Sequence, residues 1–355
     1  MNKCKKCFAL VLVVCLIFSL LSCDKKIQPD SGQEKVGEQK KIQIGITFDS
    51  FVIERWEREK DVFVSIAKEL GAEVNVQSAN GDIVSQKNQI DYFIEKKVDV
   101  IVIVCRDSDG IRENVEKALE SGIHVIAYDR LITNVPVDLY ISFDNEAVGT
   151  MMGKALIDKN IGEKSNVLML GGPLTDNNVT LVEDGFKKVM KEKNVNILDS
   201  IHVDNWNAEI ARDYIFEHLD TVMKTDAIMC GNDSIASQVI HALAEQRQAG
   251  NILVVGQDAD LEACQCIVEG TQLMTVYKPV ERLAKLAAEY AVILGRGDSI
   301  PSTDTVSLIN GSYLVPYVKL DPISVTEENM NKVIISEGFH LKEDVYLNVP
   351  HKMPK

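Results

Sequence analysis

Short apolar, β-branched runs alternate along this chain with stretches of helical period. The runs Lys41–Phe48, Val74–Ser78, Val98–Val104, His124–Tyr128 and Leu139–Phe143 predict strands. Between them apolar residues recur at helical spacing. Phe63, Ile66, Ala67 and Leu70 are closed by Gly71, and Ile111, Val115, Ala118 and Leu119 by Gly122. The pattern then restarts with Asn166–Leu170, Ile197–Val203, Ala227–Cys230, Ile252–Val255 and Gln272–Tyr277, and a helical stretch over 151–159 separates the two sets. Strand–helix alternation with short connections predicts an α/β fold with parallel sheets and helices on both faces. Two sets predict two Rossmann-like lobes of one topology. A helix over Val280–Leu294 and a strand over Ser312–Val318 come after both sets. They predict that the chain recrosses between the lobes through a multi-strand hinge. The expected organisation is an N-terminal lobe of 41–146 plus 279–308, a C-terminal lobe of 147–278 plus 309–345, and a tail of 346–355.

In a parallel α/β sheet, ligands bind beyond the carboxyl ends of the strands. Those positions carry Asp49 and Glu54-Arg55-Trp56, Asp129-Arg130 and Asp144-Asn145 in the first set. In the second they carry Asp176-Asn177-Asn178, Asp204-Asn205-Trp206, Asn232-Asp233, Gln257-Asp258 and Lys278. A single polar residue at a strand end is ordinarily a cap, and a single tryptophan is ordinarily core. The set is the signal, and it includes both tryptophans of the chain. Planar and charged hydrogen-bonding groups saturate hydroxyls that both donate and accept. Flat indoles cover the C–H faces of a sugar ring. The chemistry therefore points to a neutral polyol sandwiched between Trp56 and Trp206.

Composition then narrows the setting. The 355 residues include 38 basic and 53 acidic side chains, a formal charge of -15, which argues against a nucleic-acid partner. Lys3, Lys5 and Lys6 precede an apolar run from Phe8 to Leu21 that ends in Leu20-Leu21-Ser22-Cys23. This looks like a bacterial lipoprotein signal over residues 1–22, with Cys23 acylated and 23–40 a polar, flexible tether. Residues 1–22 hold three lysines and no acidic residue, so the mature balance is 35 basic against 53 acidic, or -18. Of the eight cysteines, only Cys105, Cys230, Cys264 and Cys266 then remain in the folded part, too few and too scattered for a disulfide scaffold. They are expected to be reduced packing residues.

Enzyme signatures are missing from the pattern. There is no GxGxxG after the first strand, no Walker A, no GxSxG and no HExxH, and the six histidines have no ligand spacing. Gly149-Thr-Met-Met-Gly153-Lys154 is one residue short of a phosphate loop, and Asp107-Ser-Asp109-Gly110 reads as a helix start and not a calcium loop. The expectation is no catalytic residue, no metal and no cofactor.

Longer segments carry a resemblance. Glu54–Glu57, Gln77–Gly81, Ala127–Arg130, Tyr140–Glu146, Asp176–Asn178, Gly256–Leu261, Thr275–Pro279 and Gly338–His340 occur in order over most of the chain. Together they resemble the ribose/galactose-type periplasmic sugar-binding proteins, in particular the D-xylose-binding members. The resemblance implies a type I periplasmic-binding fold with three crossovers and a cleft that closes on one monosaccharide. It implies sugar contacts from Arg55, Trp56, Asp129 and Arg130 of the first lobe. It also implies contacts from Asn178, Trp206, Asn232 and Asp258 of the second lobe, with Lys278 on the hinge side. Delivery of D-xylose to an ABC permease by a monomer is the implied role, with sugar sensing for a chemoreceptor or kinase left open. Cys105-Arg106-Asp107-Ser108 departs from the Pro-Tyr-Asn type of sequence usual in the family.

Overall fold

The structure is a computed structural model that describes residues 41–354. The signal, Cys23 and the tether lie outside the described residues. Two sets of five strands, interleaved with helices, build the parallel parts of two sheets of matching order. The first half contributes β1 (Ile42–Phe48), α1 (Arg55–Glu69), β2 (Ala72–Ser78), α2 (Ile83–Lys96), β3 (Val100–Ile103), α3 (Arg112–Glu120), β4 (His124–Tyr128), β5 (Leu139–Phe143) and α4 (Asn145–Asp158). The second contributes β6 (Asn166–Gly171), α5 (Asn177–Glu192), β7 (Asn196–His202), α6 (Ala208–Glu217), β8 (Ala227–Cys230), α7 (Asp233–Glu245), β9 (Leu253–Gln257), α8 (Leu261–Glu269) and β10 (Met274–Tyr277). The chain goes on through α9 (Val280–Gly295), β11 (Val306–Asn310), β12 (Tyr313–Leu320) and β13 (Ile323–Val325).

One sheet runs β11-β12-β5-β4-β3-β1-β2 and the other β13-β10-β9-β8-β6-β7. The parallel cores β5-β4-β3-β1-β2 and β10-β9-β8-β6-β7 have the same order, and only β11 and β13 pair antiparallel. Strands such as Val-Ile-Val-Ile in β3 are apolar at every position because helices cover both faces. Helix starts follow from short polar caps. Asp82, Asp144 and Asp176 accept backbone N–H groups of the first turns of α2, α4 and α5.

The crossover helices are exchanged. α4 follows β5 of the first sheet but packs on α5 of the second lobe, and α9 follows β10 of the second sheet but packs on α1 of the first. The α4–α5 contact is backbone against backbone. A Cβ at Gly149 would fall 1.7 Å from the Val182 carbonyl oxygen, and one at Gly185 2.0 Å from that of Glu146. The glycines of the near-phosphate-loop segment thus serve helix packing.

One assignment is corrected. The segment 309–320, placed in the second lobe by sequence, belongs to the first sheet, where β12 pairs in parallel with β5 from Tyr317↔Tyr140 to Leu320↔Phe143. β11, for which the sequence pattern predicts no strand, pairs with β12 around a turn at Gly311, whose φ is +62°. The buried Asn310 side chain pins that turn by donating to the Ile132 and Val135 carbonyls and accepting the Asn134 N–H. Three crossings between the sheets result, after β5, β10 and β12. Cys105, Cys230, Cys264 and Cys266 are buried and unbridged. Among the described residues no helix is long and apolar enough to cross a membrane.

Candidate functional site

The carboxyl ends of both parallel sheets face one another, and matching backbone geometry presents matching side chains. Asp129 follows β4 with φ +62° and its N–H donates to the Ile141 carbonyl of β5 at 2.8 Å. Asp258 follows β9 with φ +100° and its N–H donates to the Val276 carbonyl of β10 at 2.9 Å. The two lobes therefore offer one aspartate each from equivalent kinks, in a backbone region that non-glycine residues enter only when their surroundings enforce it. Arg55 and Trp56 are the first two residues of α1, Arg130 follows Asp129, and Lys278 follows β10. Asn178 is the second residue of α5. Trp206 ends a one-turn 3₁₀ helix, Asp204–Trp206, with φ +56°.

Arg55, Trp56, Asp129, Arg130, Asn178, Trp206, Asp258 and Lys278 all line one cavity between the sheets. Asn232 is not among the lining residues. Its Oδ1 accepts the Ile235 N–H at 3.0 Å as the cap of α7, while its Nδ2 is buried without a partner. For Asn232, as for Asp144, capping explains the polar residue at a strand end.

Sequence reasoning did not single out several other wall residues. Asp176 and Gln257 were visible as strand-end polar groups. Glu183, Gly171, Gly172 and Gly231, and the apolar Ile53, Val179, Val182 and Met229, carried no local signal. Gly172 is required by the indole of Trp206, since a Cβ there would fall 2.4 Å from the ring. Trp56 is fully buried and has the Arg55 guanidinium 4.1 Å from its ring centroid, with that of Arg130 at 5.7 Å. Part of the Trp56 π surface is thus taken up by protein cations.

The charges are compensated in two linked groups. Arg130 pairs with Asp49 and with Asp176, each at 2.6 Å. Arg55 pairs with Asp129 at 2.6 Å and Glu59 at 3.2 Å and lies 3.7 Å from Asp258, which faces Lys278 at 2.8 Å. Burial works against the Arg55 charge, but Asp129, Glu59 and Asp258 more than offset it. Asp129 is likewise opposed by burial and held below the ordinary carboxylate range by Arg55 and Lys278. Burial pushes Glu59 up to about 8 against the pull of Arg55, and its carboxyl is hydrogen-bonded by the Tyr128 hydroxyl. Burial thus pushes Glu59 toward its neutral form, and the three cations Arg55, Arg130 and Lys278 face Asp49, Asp129, Asp176 and Asp258. No large net charge is left for an ionic ligand to neutralise.

Hydrogen-bonding capacity, by contrast, is left over. Among the described residues, seven of the eleven buried side-chain polar atoms without a hydrogen-bond partner belong to cavity-lining residues; the three on Arg55 and Asp258 still face ion-pair partners, while the Trp56 and Trp206 indole N–H groups, Asn178 Oδ1 and Gln257 Oε1 have none. Buried polar groups are normally satisfied, so such a concentration marks a place built for a polar guest. Donors and acceptors in one enclosure, with two indoles and four apolar side chains, suit a small neutral polyol. Among the described residues no group of acidic, histidine and cysteine side chains is placed to hold a metal ion.

Comparison with known proteins agrees with this geometry. Residues 44–299 match the model of the periplasmic binding protein domain. The D-xylose-binding periplasmic protein of Haemophilus influenzae is 41% identical over 313 residues, covering 86% of this chain and 93% of that one. Its counterpart in Escherichia coli is 41% identical over 312 residues, with the same coverage. A carbohydrate-transporter solute-binding protein from Chloroflexus aurantiacus, solved with D-glucose, superposes with a TM-score of 0.77. It is 26% identical and covers 85% of this chain and 98% of its own.

Proposed function

The chain belongs to the periplasmic binding protein domain family, and on that premise we propose that it captures D-xylose between its lobes and delivers it to an ABC sugar permease. The observation that carries this reading is the cavity itself. It is charge-compensated, rich in unpartnered hydrogen-bonding groups, and built from equivalent strand ends of two lobes. The D-xylose-binding relatives support the choice of sugar. The chain is a binding protein, located outside the cytoplasm.

Both lobes contribute to one cavity, so a bound sugar favours the closed arrangement by its contacts with each. Hydroxyls would take up the free capacity of Asn178 and Gln257 and share the ion-paired groups of Arg55 and Asp258. Trp206 would cover one C–H face of the ring, with Trp56 on the first-lobe side. Asp129, Arg130 and Lys278 fix the charges that orient these groups, and Asn232 has a free amide nearby. Closure would be what the permease reads.

Isothermal calorimetry of the chain from residue 24 against xylose, ribose, glucose and galactose tests the reading. One xylose per monomer with weaker or no heat from the hexoses is the expected result. Heat with another sugar only would overturn the xylose assignment. Trp206→Ala should weaken binding by on the order of 1–3 kcal/mol, as for stacking on aromatics; unchanged affinity would remove the indole from the site. The finer location is a lipid anchor on Cys23, supported by the lysines, apolar run and Leu20-Leu21-Ser22-Cys23 sequence that precede the tether. In that case Cys23→Ala moves the protein from the membrane fraction to the soluble one.

A further inference from the structure

The loop that departs from the family pattern, Cys105-Arg106-Asp107-Ser108, reaches across the cleft. On its own lobe it is firmly held. The Arg106 N–H donates to Gln86 Oε1 at 2.7 Å, Arg106 Nε donates to the Gly81 carbonyl at 3.0 Å, and the Cys105 carbonyl accepts from Arg130 at 3.1 Å. Other groups of Arg106 and Ser108 bond to the other lobe. Arg106 donates to Thr175 Oγ1 at 2.9 Å and to Asp204 Oδ1 at 3.3 Å. The Ser108 N–H donates to the Thr175 carbonyl at 2.9 Å, and Ser108 Oγ accepts the Asn177 N–H at 3.1 Å. Asn177 is the first residue of α5, so a first-lobe hydroxyl helps to cap the second-lobe helix that carries Asn178.

None of Arg106, Ser108, Thr175 and Asp204 lines the cavity. Thr175 adjoins Asp176, and Asp204 lies two residues from Trp206, so these contacts sit directly beside the wall. All four require the lobes to be together.

We propose that this loop is a latch: Arg106 and Ser108 fix the lifetime of the closed form from outside the sugar cavity, and Arg106 is a positioning residue for sugar retention. The proposal rests on the reading of the cavity as a sugar site that closes. A latch formed after entry slows escape and leaves entry and sugar choice alone.

The test uses stopped-flow tryptophan fluorescence, because the only two tryptophans, Trp56 and Trp206, both line the cavity. Arg106→Met keeps the side-chain stem and removes the guanidinium. It should raise the xylose dissociation rate about tenfold, leave the association rate within about twofold, and leave the order of preference among xylose, ribose and glucose unchanged. Thr175→Val and Asp204→Asn approach the same contacts from the other lobe and should each raise dissociation by a smaller factor, so the test survives a poorly folding Arg106 variant. With a normal signal from the unmodified protein, dissociation rates unchanged in all three variants overturn the latch. So does an altered sugar preference in Arg106→Met, which would make Arg106 part of the sugar site. An unmodified protein that responds to no sugar overturns the cavity reading, and the latch falls with it.

Discussion

Glu59 lies one helical turn beyond Arg55 and is almost completely buried. Burial raises it from its ordinary 4.5 to about 8. Asp233, the first residue of α7, rises from 3.8 to about 8 for the same first reason, against hydrogen bonds from Thr275 and Gln272. For an acid shifted upward, the folded protein holds a proton that the unfolded chain has already released. Stability therefore falls as pH rises toward the folded value and levels off above it. Asp129 has the opposite sign, and its contribution is lost only in acid. The unfolding free energy of the protein should drop by about 2–3 kcal/mol between pH 7 and 8.5 in urea titrations, and Glu59→Gln should remove about half of that slope. A flat profile would mean that Glu59 is ionised in the folded state. At this scale the sequence was legible where chemistry sits at a strand end, as for Arg55, Asp129 and Lys278. It was silent on Glu183 and Gly172, whose importance depends on His202, Lys187 and Trp206 being folded against them.

At the scale of elements, the α4–α5 contact opposes two effects that can be weighed. Alanine in place of a helical glycine favours the helix by roughly 1 kcal/mol. Here the added methyl would meet the Val182 carbonyl oxygen at 1.7 Å, and backbone cannot swing aside as a flexible side chain can. Gly149→Ala should therefore destabilise the protein by about 2 kcal/mol or more in denaturant unfolding; a gain in stability would show that the helices have room to separate. The parallel strands were legible because each is a short apolar run between helical periods. β11 was not, although Asn310-Gly311 is a hairpin signal. Its flanking residues are half exposed or exposed and do not alternate cleanly, as suits an edge strand. The sheet that β12 joins depends on pairing with β5, and no local pattern encodes a choice between two sheets.

Over the whole molecule, the repeated topology was legible because the same alternation occurs twice, and the meeting of the strand ends follows from it. The exchange of chain between lobes has a temporal meaning. β5 ends at Phe143 and its neighbour β12 begins at Tyr313, about 170 residues later. At a synthesis rate of roughly 5–20 residues per second, the edge of β5 waits on the order of ten seconds or more for its partner. α1 waits in the same way for α9. The first lobe to emerge thus waits for a strand made near the end of the chain, β13 completes the second sheet directly afterwards, and the nascent chain stays incompletely folded until nearly all of it has been made. For a protein that works outside the cytoplasm, that delay keeps the polypeptide threadable through a narrow export channel during most of its synthesis.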